Sequence, residues 1–353
     1  KLVINFLSVA TKNIETAESP YHYVVFNNGV YNLETGEFQP YPANVILTSK
    51  LNIDYMPLDR ISADVEVMDK FLDKLSGGNP EVKKFLIFLL GISCCRANVP
   101  KLLYVLKGGN SLECITAKSV FLGLFPAILG DSFSSYSLEE LADKNSTSLL
   151  YSKSCNISDV SFKPDKMNFS NFRRVISGNT RTVKTDYGTL MFAPYTTMIF
   201  DVENMSDIED TILKLSKNFK IIPLTDFDIE DDFDVNVLYK NENLLYLTLK
   251  ALDVVKEFVS SKKFTTPAVI EEATLEYISN YNSVVGYCKD YPVEEVYSKE
   301  LYFTQYEAWC KANNADKVCY SEFGKGLDIM KYKPDRKSYN NKKYHYYFNS
   351  KFN

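Results

Sequence analysis

The chain has 353 residues, 45% of them hydrophobic and 24% charged, with a formal net charge of −5. That length predicts two or three domains with their own cores, and that composition excludes a disordered or fibrous chain. No apolar run reaches the roughly 18 residues that span a bilayer, and no secretory pattern follows Lys1, so no membrane partner is expected and the chain reads as a piece of a longer polypeptide.

The seven cysteines form no CxxC pair, and the two histidines, His22 and His345, stand far apart. A zinc site or a histidine-based catalytic device is therefore not expected, and the scattered cysteines read as reduced packing residues. Charge is uneven along the chain. Residues 298–353 hold 11 Lys/Arg against 6 Asp/Glu, a local basic surplus inside an acidic whole. Such a local surplus, and not the chain total, is what a phosphate backbone meets.

In chain order, residues 22–58 predict a small β-rich unit with hairpin turns at Asn28-Gly29 and Glu34-Thr35-Gly36. Residues 61–100 switch to helical spacing. Val67, Phe71, Leu72 and Leu75 share one face, Ser76-Gly77-Gly78-Asn79-Pro80 closes that helix, and a second follows with Phe85, Leu86, Leu89 and Leu90. From Leu102 to about Leu224, apolar strands alternate with helices, LLYVL (Leu102–Leu106) and TTMIF (Thr196–Phe200) being the clearest buried strands.

The stretch 224–234 carries six acids and no base and reads as a solvated connection. Residues 242–261 predict an amphipathic helix. Another opens at Thr266-Pro267 with Ile270, Ala273, Tyr277, Tyr281, Val284 and Cys288 on its apolar face. The tail reads as two helices and a hairpin turning at Asn340-Asn341, the pattern of a winged helix.

Several stretches, in this order, resemble the viral and phage primase-helicases, superfamily 3 helicases of the poxvirus and phage type within the AAA-plus group. They are NGVYNLETGEFQPY (Asn28–Tyr41), LSGGNPEVKKFLIFLLG (Leu75–Gly91) and KGGN (Lys107–Asn110) with KSVFLGLFPAILGD (Lys118–Asp131). FRRVISGNTRTVKTDYGTLMFAP (Phe172–Pro194), TTMIFDVENM (Thr196–Met205) and TPAVIEEATLEYISNYN (Thr266–Asn282) continue the series.

The resemblance implies an α/β fold with an AAA-plus-like core over 101–235. A β-rich unit (1–60) and a helical region (61–100) precede it, and a helical lid (236–290) and a winged-helix-like domain (291–353) follow. It also implies an upstream primase-polymerase module, a place in viral DNA replication in the host cytoplasm, and a capacity for homo-oligomers.

The implied nucleotide site departs from its pattern. A phosphate loop needs glycines so that backbone N–H groups close on the phosphates, a lysine for the outer phosphates and Ser/Thr for Mg²⁺. In the GxxxxGK[S/T] frame Lys118 and Ser119 serve, yet Leu112 and Ala117 replace both glycines. In the alternative frame Gly108-Gly109-Asn110 opens the loop, and 111–117 is an insertion that pushes Lys118 away. Pro126 falls where the next helix should run on.

Asp159 stands where the family's Mg²⁺-binding acid belongs, but Val160 replaces the water-activating carboxylate. Asn204 matches the polar sensor, while Lys217 and Asn218 stand where a trans-acting arginine belongs. Without the resemblance, Lys118-Ser119 is a solvated helix start, Asp159 a strand-end cap and Asn204 a turn residue.

For DNA, Arg173, Arg174, Arg181 and Lys184 surround a hairpin of the kind that family helicases point into a central channel. In the tail, Lys333, Arg336, Lys337, Lys342 and Lys343 interleave with Tyr339 and Tyr344, among other tyrosines. Lysines neutralise phosphates and tyrosine faces stack on unpaired bases. The plainer reading has the hairpin solvated and alternate tyrosines facing the domain's core.

The function expected is thus a helicase-like module that positions DNA, single-stranded or primer-template, or partner proteins without hydrolysing ATP. No cofactor is expected, ATP with Mg²⁺ entering only if the diverged site still binds. An active hexameric helicase and a structural domain docking the primase-polymerase module are the alternatives.

Overall fold

The structure, a computed structural model, describes residues 22–43, 47–96, 102–108, 112–143, 146–159, 172, 175, 177–179, 181–185, 188–202, 219–225, 234–261, 265–292, 297–339 and 342–349. The chain divides into two compact units, Lys1–Asp207 with Lys220–Ile270, and Ile208–Phe219 with Glu271–Asn353.

The first unit opens with β1 (Tyr23–Phe26), β2 (Gly29–Asn32) and β3 (Phe38–Gln39), an antiparallel sheet whose first turn brings Phe26 opposite Gly29. Gly29 is required there, since a Cβ would stand 2.5 Å from the Gln39 carbonyl oxygen. Helices α1 (Val65–Leu75) and α2 (Pro80–Cys94) follow. Between them the chain turns through Gly77 and Gly78, both at positive φ, and Asn79 caps α2 by accepting from the backbone N–H groups of Glu81 and Val82. Almost all of α2 from Phe85 onward is buried, as a helix apolar on every side must be.

The central sheet has the order β10-β4-β9-β6-β5, from β4 (Leu103–Lys107), β5 (Phe133–Ser134), β6 (Cys155–Asp159), β9 (Thr197–Asp201) and β10 (Phe219–Pro223). The β4/β9, β9/β6 and β6/β5 pairs are parallel. Strands β4 and β9 are buried except at their last residue, which explains their unbroken apolar runs. Asn156 on β6 is fully buried and fixes the turn after β5. Its side chain accepts from Ser134 Oγ and Tyr136 N–H and donates to the Tyr136 carbonyl. A short helix, α4 (Leu138–Ala142), follows with a capping box between Ser137 and Glu140.

Helix α3 (Leu112–Leu129) connects β4 to β5 and runs through Pro126, against the expected break. Pro126 lies in the last turn on an exposed face, so the ring costs one hydrogen bond near the helix end and meets solvent. By length and hydropathy Ile115–Ser132 is also apolar enough to cross a bilayer, contrary to expectation. In this fold it is a core helix, with Phe121, Leu124, Phe125, Ile128 and Leu129 buried.

Helix α5 (Asn241–Ser261) packs along α2 at a glycine. A Cβ on Gly91 would meet the Ala251 carbonyl oxygen at 2.5 Å. One hydrophobic cluster runs from Val24 to Ile270, so the β-rich, helical and central stretches of the sequence share a single core. The hairpin β7 (Arg181–Thr185) and β8 (Gly188–Phe192) forms a separate two-stranded sheet. Most of the acidic stretch, 226–233, lies outside the described residues.

In the second unit the one helix expected after Pro267 is two, α6 (Ala268–Tyr281) and α7 (Ser283–Asp290). The apolar spacing continues across the break, but Asn282 accepts from the N–H groups of Val284 and Val285 and starts a new helix. Then come β11 (Tyr297–Ser298), α8 (Lys299–Asn313), α9 (Tyr320–Ile329), β12 (Tyr332–Tyr339) and β13 (Lys342–Asn349). Strand β13 is central, between β11 and β12. The core gathers Tyr287, Tyr302, Tyr306, Phe323 and Tyr332. Trp309 packs against it and donates from Nε1 to Asp290 at 2.9 Å.

Candidate functional site

The carboxyl ends of β4, β9 and β6 lie side by side. Register places Leu106 opposite Asp201 and Asp201 opposite Asp159. The chain runs from β4 to the far edge at β5, returns through β6 and β9, then crosses to β10, so the order reverses between β4 and β9. Crevices of α/β sheets form at such reversals.

Lys118 comes to this edge from α3. Its side chain is only 2% exposed and makes an ion pair with Asp201, itself 15% exposed. The helix stripe explains the burial, because Lys118 is in register with Phe121, Leu122, Phe125 and Leu129. The solvated helix start is therefore corrected for Lys118, while Ser119 is exposed. Helix α3 begins at Leu112, six residues before Lys118, which at 1.5 Å per residue is about 9 Å along the axis.

Asp159 ends β6, with its side chain outside the described set. Gly108 is described, but Gly109, Asn110, Val160, Asn204, Lys217 and Asn218 lie outside the described residues. Asp201 was not singled out from the sequence. The available signal was Lys118 inside an apolar stripe, a position that demands a buried partner but does not name it. Among the described residues no group of three His, Cys, Asp or Glu side chains is placed to hold a metal ion.

Of the basic hairpin, Arg173 and Arg174 lie outside the described residues. Register separates the other two. Arg181 pairs with Phe192, which is buried and packs edge-on against Tyr151, whereas Lys184 shares the face of exposed Met191. In the tail, register pairs Lys333 with Phe348, Lys337 with Tyr344 and Tyr339 with Lys342. Arg336 and Lys343 stand opposite His345 and Ser338, on the other face of the ribbon. That second face is also the face of Tyr332, which is buried in the aromatic core, while Lys333 is exposed.

Residues 4–85 match the family described as D5 N terminal like. No curated protein matches the chain. Among solved structures, the A form apo structure of the NrS-1 C terminal region is 13% identical, with 87% of this chain and 80% of that chain covered at a TM-score of 0.42. A second apo structure of that region is 13% identical, covering 84% and 79% at a TM-score of 0.41.

Proposed function

We propose that this chain is the helicase-like part of a phage-type primase-helicase or primase-polymerase, and that it organises DNA or partner proteins without hydrolysing ATP. The match of residues 4–85 to the D5 N terminal like family supports the replication setting. The ion pair of Lys118 with Asp201 carries the rest.

A phosphate loop works by bringing one lysine and several free backbone N–H groups onto the same oxygens. Here the lysine is buried and paired with an aspartate, and its backbone lies six residues inside helix α3 and not at the helix start. A triphosphate would have to separate a desolvated pair before gaining the lysine, and Asp201 would then face its negative charge. These residues do not fit a triphosphate with its magnesium ion. What remains for the domain is binding, and the basic tail is the surface suited to it.

The test is ATP binding and hydrolysis by the 353-residue chain, with and without single-stranded DNA. Hydrolysis at background in both conditions is expected. DNA-stimulated hydrolysis that disappears in Lys118→Ala overturns the reading and favours an active helicase with a diverged loop.

A further inference from the structure

The hairpin of β12 and β13 sorts its residues by face. On the face that holds exposed Lys333, the cross-strand pairs are Lys333 with Phe348, Asp335 with Tyr346, Lys337 with Tyr344, and Tyr339 with Lys342. Each of these rungs has one aromatic position, and three of them oppose it with a lysine. The other face has no such pattern: its pairs are Tyr332 with Asn349, Pro334 with Tyr347, Arg336 with His345, and Ser338 with Lys343. Tyr332 anchors that face in the core, against the ring of Tyr302.

Successive rungs are two residues apart, so about 6.8 Å separates them along an antiparallel strand. That is twice the roughly 3.4 Å of axial rise per nucleotide along one strand of a duplex. One base per rung therefore requires a strand pulled out of helical stacking, which base-paired DNA cannot supply. Directly opposed residues in a ribbon stand about 5 Å apart, so each rung brings one aromatic position, with a lysine position beside it in three of the four, within the span of a single nucleotide.

From this juxtaposition of Lys–aromatic pairs on one ribbon face, we infer that the Lys333 face of β12–β13 is a stacking ladder for single-stranded nucleic acid, with Phe348, Tyr346, Tyr344 and Tyr339 as the platforms. The inference rests on the DNA-binding reading above and adds the face and the strandedness. The charge on the ladder is complementary to phosphate, with Asp335 its one acid.

The test uses the whole chain and a fluorescein-labelled oligothymidylate, with a duplex of the same length as comparison, read by anisotropy at several salt concentrations. The double variant Tyr339→Ala with Tyr344→Ala should weaken oligothymidylate binding by roughly tenfold per ring. Tyr339→Phe with Tyr344→Phe should keep it, because the stacking face survives. His345→Ala, on the other face, should leave it unchanged. Reversing Lys333, Lys337 and Lys342 to Glu should flatten the salt slope by about 2 or more.

Equal binding by the double alanine variant, with its thermal unfolding unchanged, overturns the ladder while sparing the DNA-binding reading. Duplex bound as tightly as single strand through the same tyrosines also overturns it. Wild-type chain that binds neither nucleic acid overturns both.

Discussion

Lys118 of α3 and Asp201 at the end of β9 form an ion pair in which the lysine is almost wholly withdrawn from solvent. Two charges held this way are costly to separate, because the one left behind stays buried without compensation. Lys118→Met alone and Asp201→Leu alone should each lower unfolding free energy by about 3–5 kcal/mol, and the two together should restore most of it. Urea unfolding of the three variants measures this. Additive losses in the double variant would mean the pair does not act as a unit.

Asn156 predicts a second, local sensitivity. Replacing it with Ala leaves the partly buried N–H and carbonyl of Tyr136 without their partner, while the Ser134 hydroxyl keeps only the Cys155 carbonyl. The loss should be about 2–4 kcal/mol, at the upper end of what single hydrogen-bonded side chains give. Asn156→Asp should be no better. It keeps the acceptor but buries a charge and loses the donor to Tyr136.

Gly91 and Gly78 separate two reasons for needing glycine. At Gly91 an added methyl meets the Ala251 carbonyl at 2.5 Å, so Gly91→Ala should destabilise by about 1–3 kcal/mol, more than the roughly 1 kcal/mol that alanine gains in a helix. At Gly78 nothing lies within 4 Å, but φ is +71°, so Gly78→Ala should cost about 1 kcal/mol through the backbone alone. Thermal melts rank the two.

Asp69 gives a pH signature. Burial opposes its ionisation but is outweighed by the hydrogen bond and charge of Lys250 and by Lys83, and the carboxyl is held below its ordinary value. A lowered carboxylate favours the fold above the ordinary carboxyl range, and that contribution disappears as pH falls through the folded value. Asp69 keeps about a third of its side chain exposed (34%), so the effect should be under about 1 kcal/mol and shrink in salt. Acid titration of stability in Asp69→Asn should show a shallower fall than wild type.

Elements whose physics is local were legible in the sequence. β4 and β9 announced themselves as apolar runs within one residue of their bounds, and Asn28-Gly29 marked the first hairpin. The break at Asn282 was not legible, because helical spacing crosses it while the cap depends on one side chain turning back to two N–H groups. The partner of Lys118 was hidden for another reason. Asp201 reaches it only because β9 lies beside β4, and that adjacency comes from the strand order and not from any stretch of residues. The sorting of tail residues onto two faces comes from the hairpin register, while the turn expected at Asn340-Asn341 lies outside the described residues.

The contact between Gly91 and Ala251 also sets a timetable. Helix α2 is apolar on every side, yet its companion α5 is encoded roughly 160 residues later. At about 5–20 residues per second of synthesis, α2 waits on the order of ten seconds for that surface to be covered. The core from Val284 to Tyr332 has no such delay, since all its members leave the ribosome within one short stretch. The core of the first unit is therefore closed only by contacts distant in sequence, whereas the Val284–Tyr332 core closes over a stretch of fewer than 50 residues.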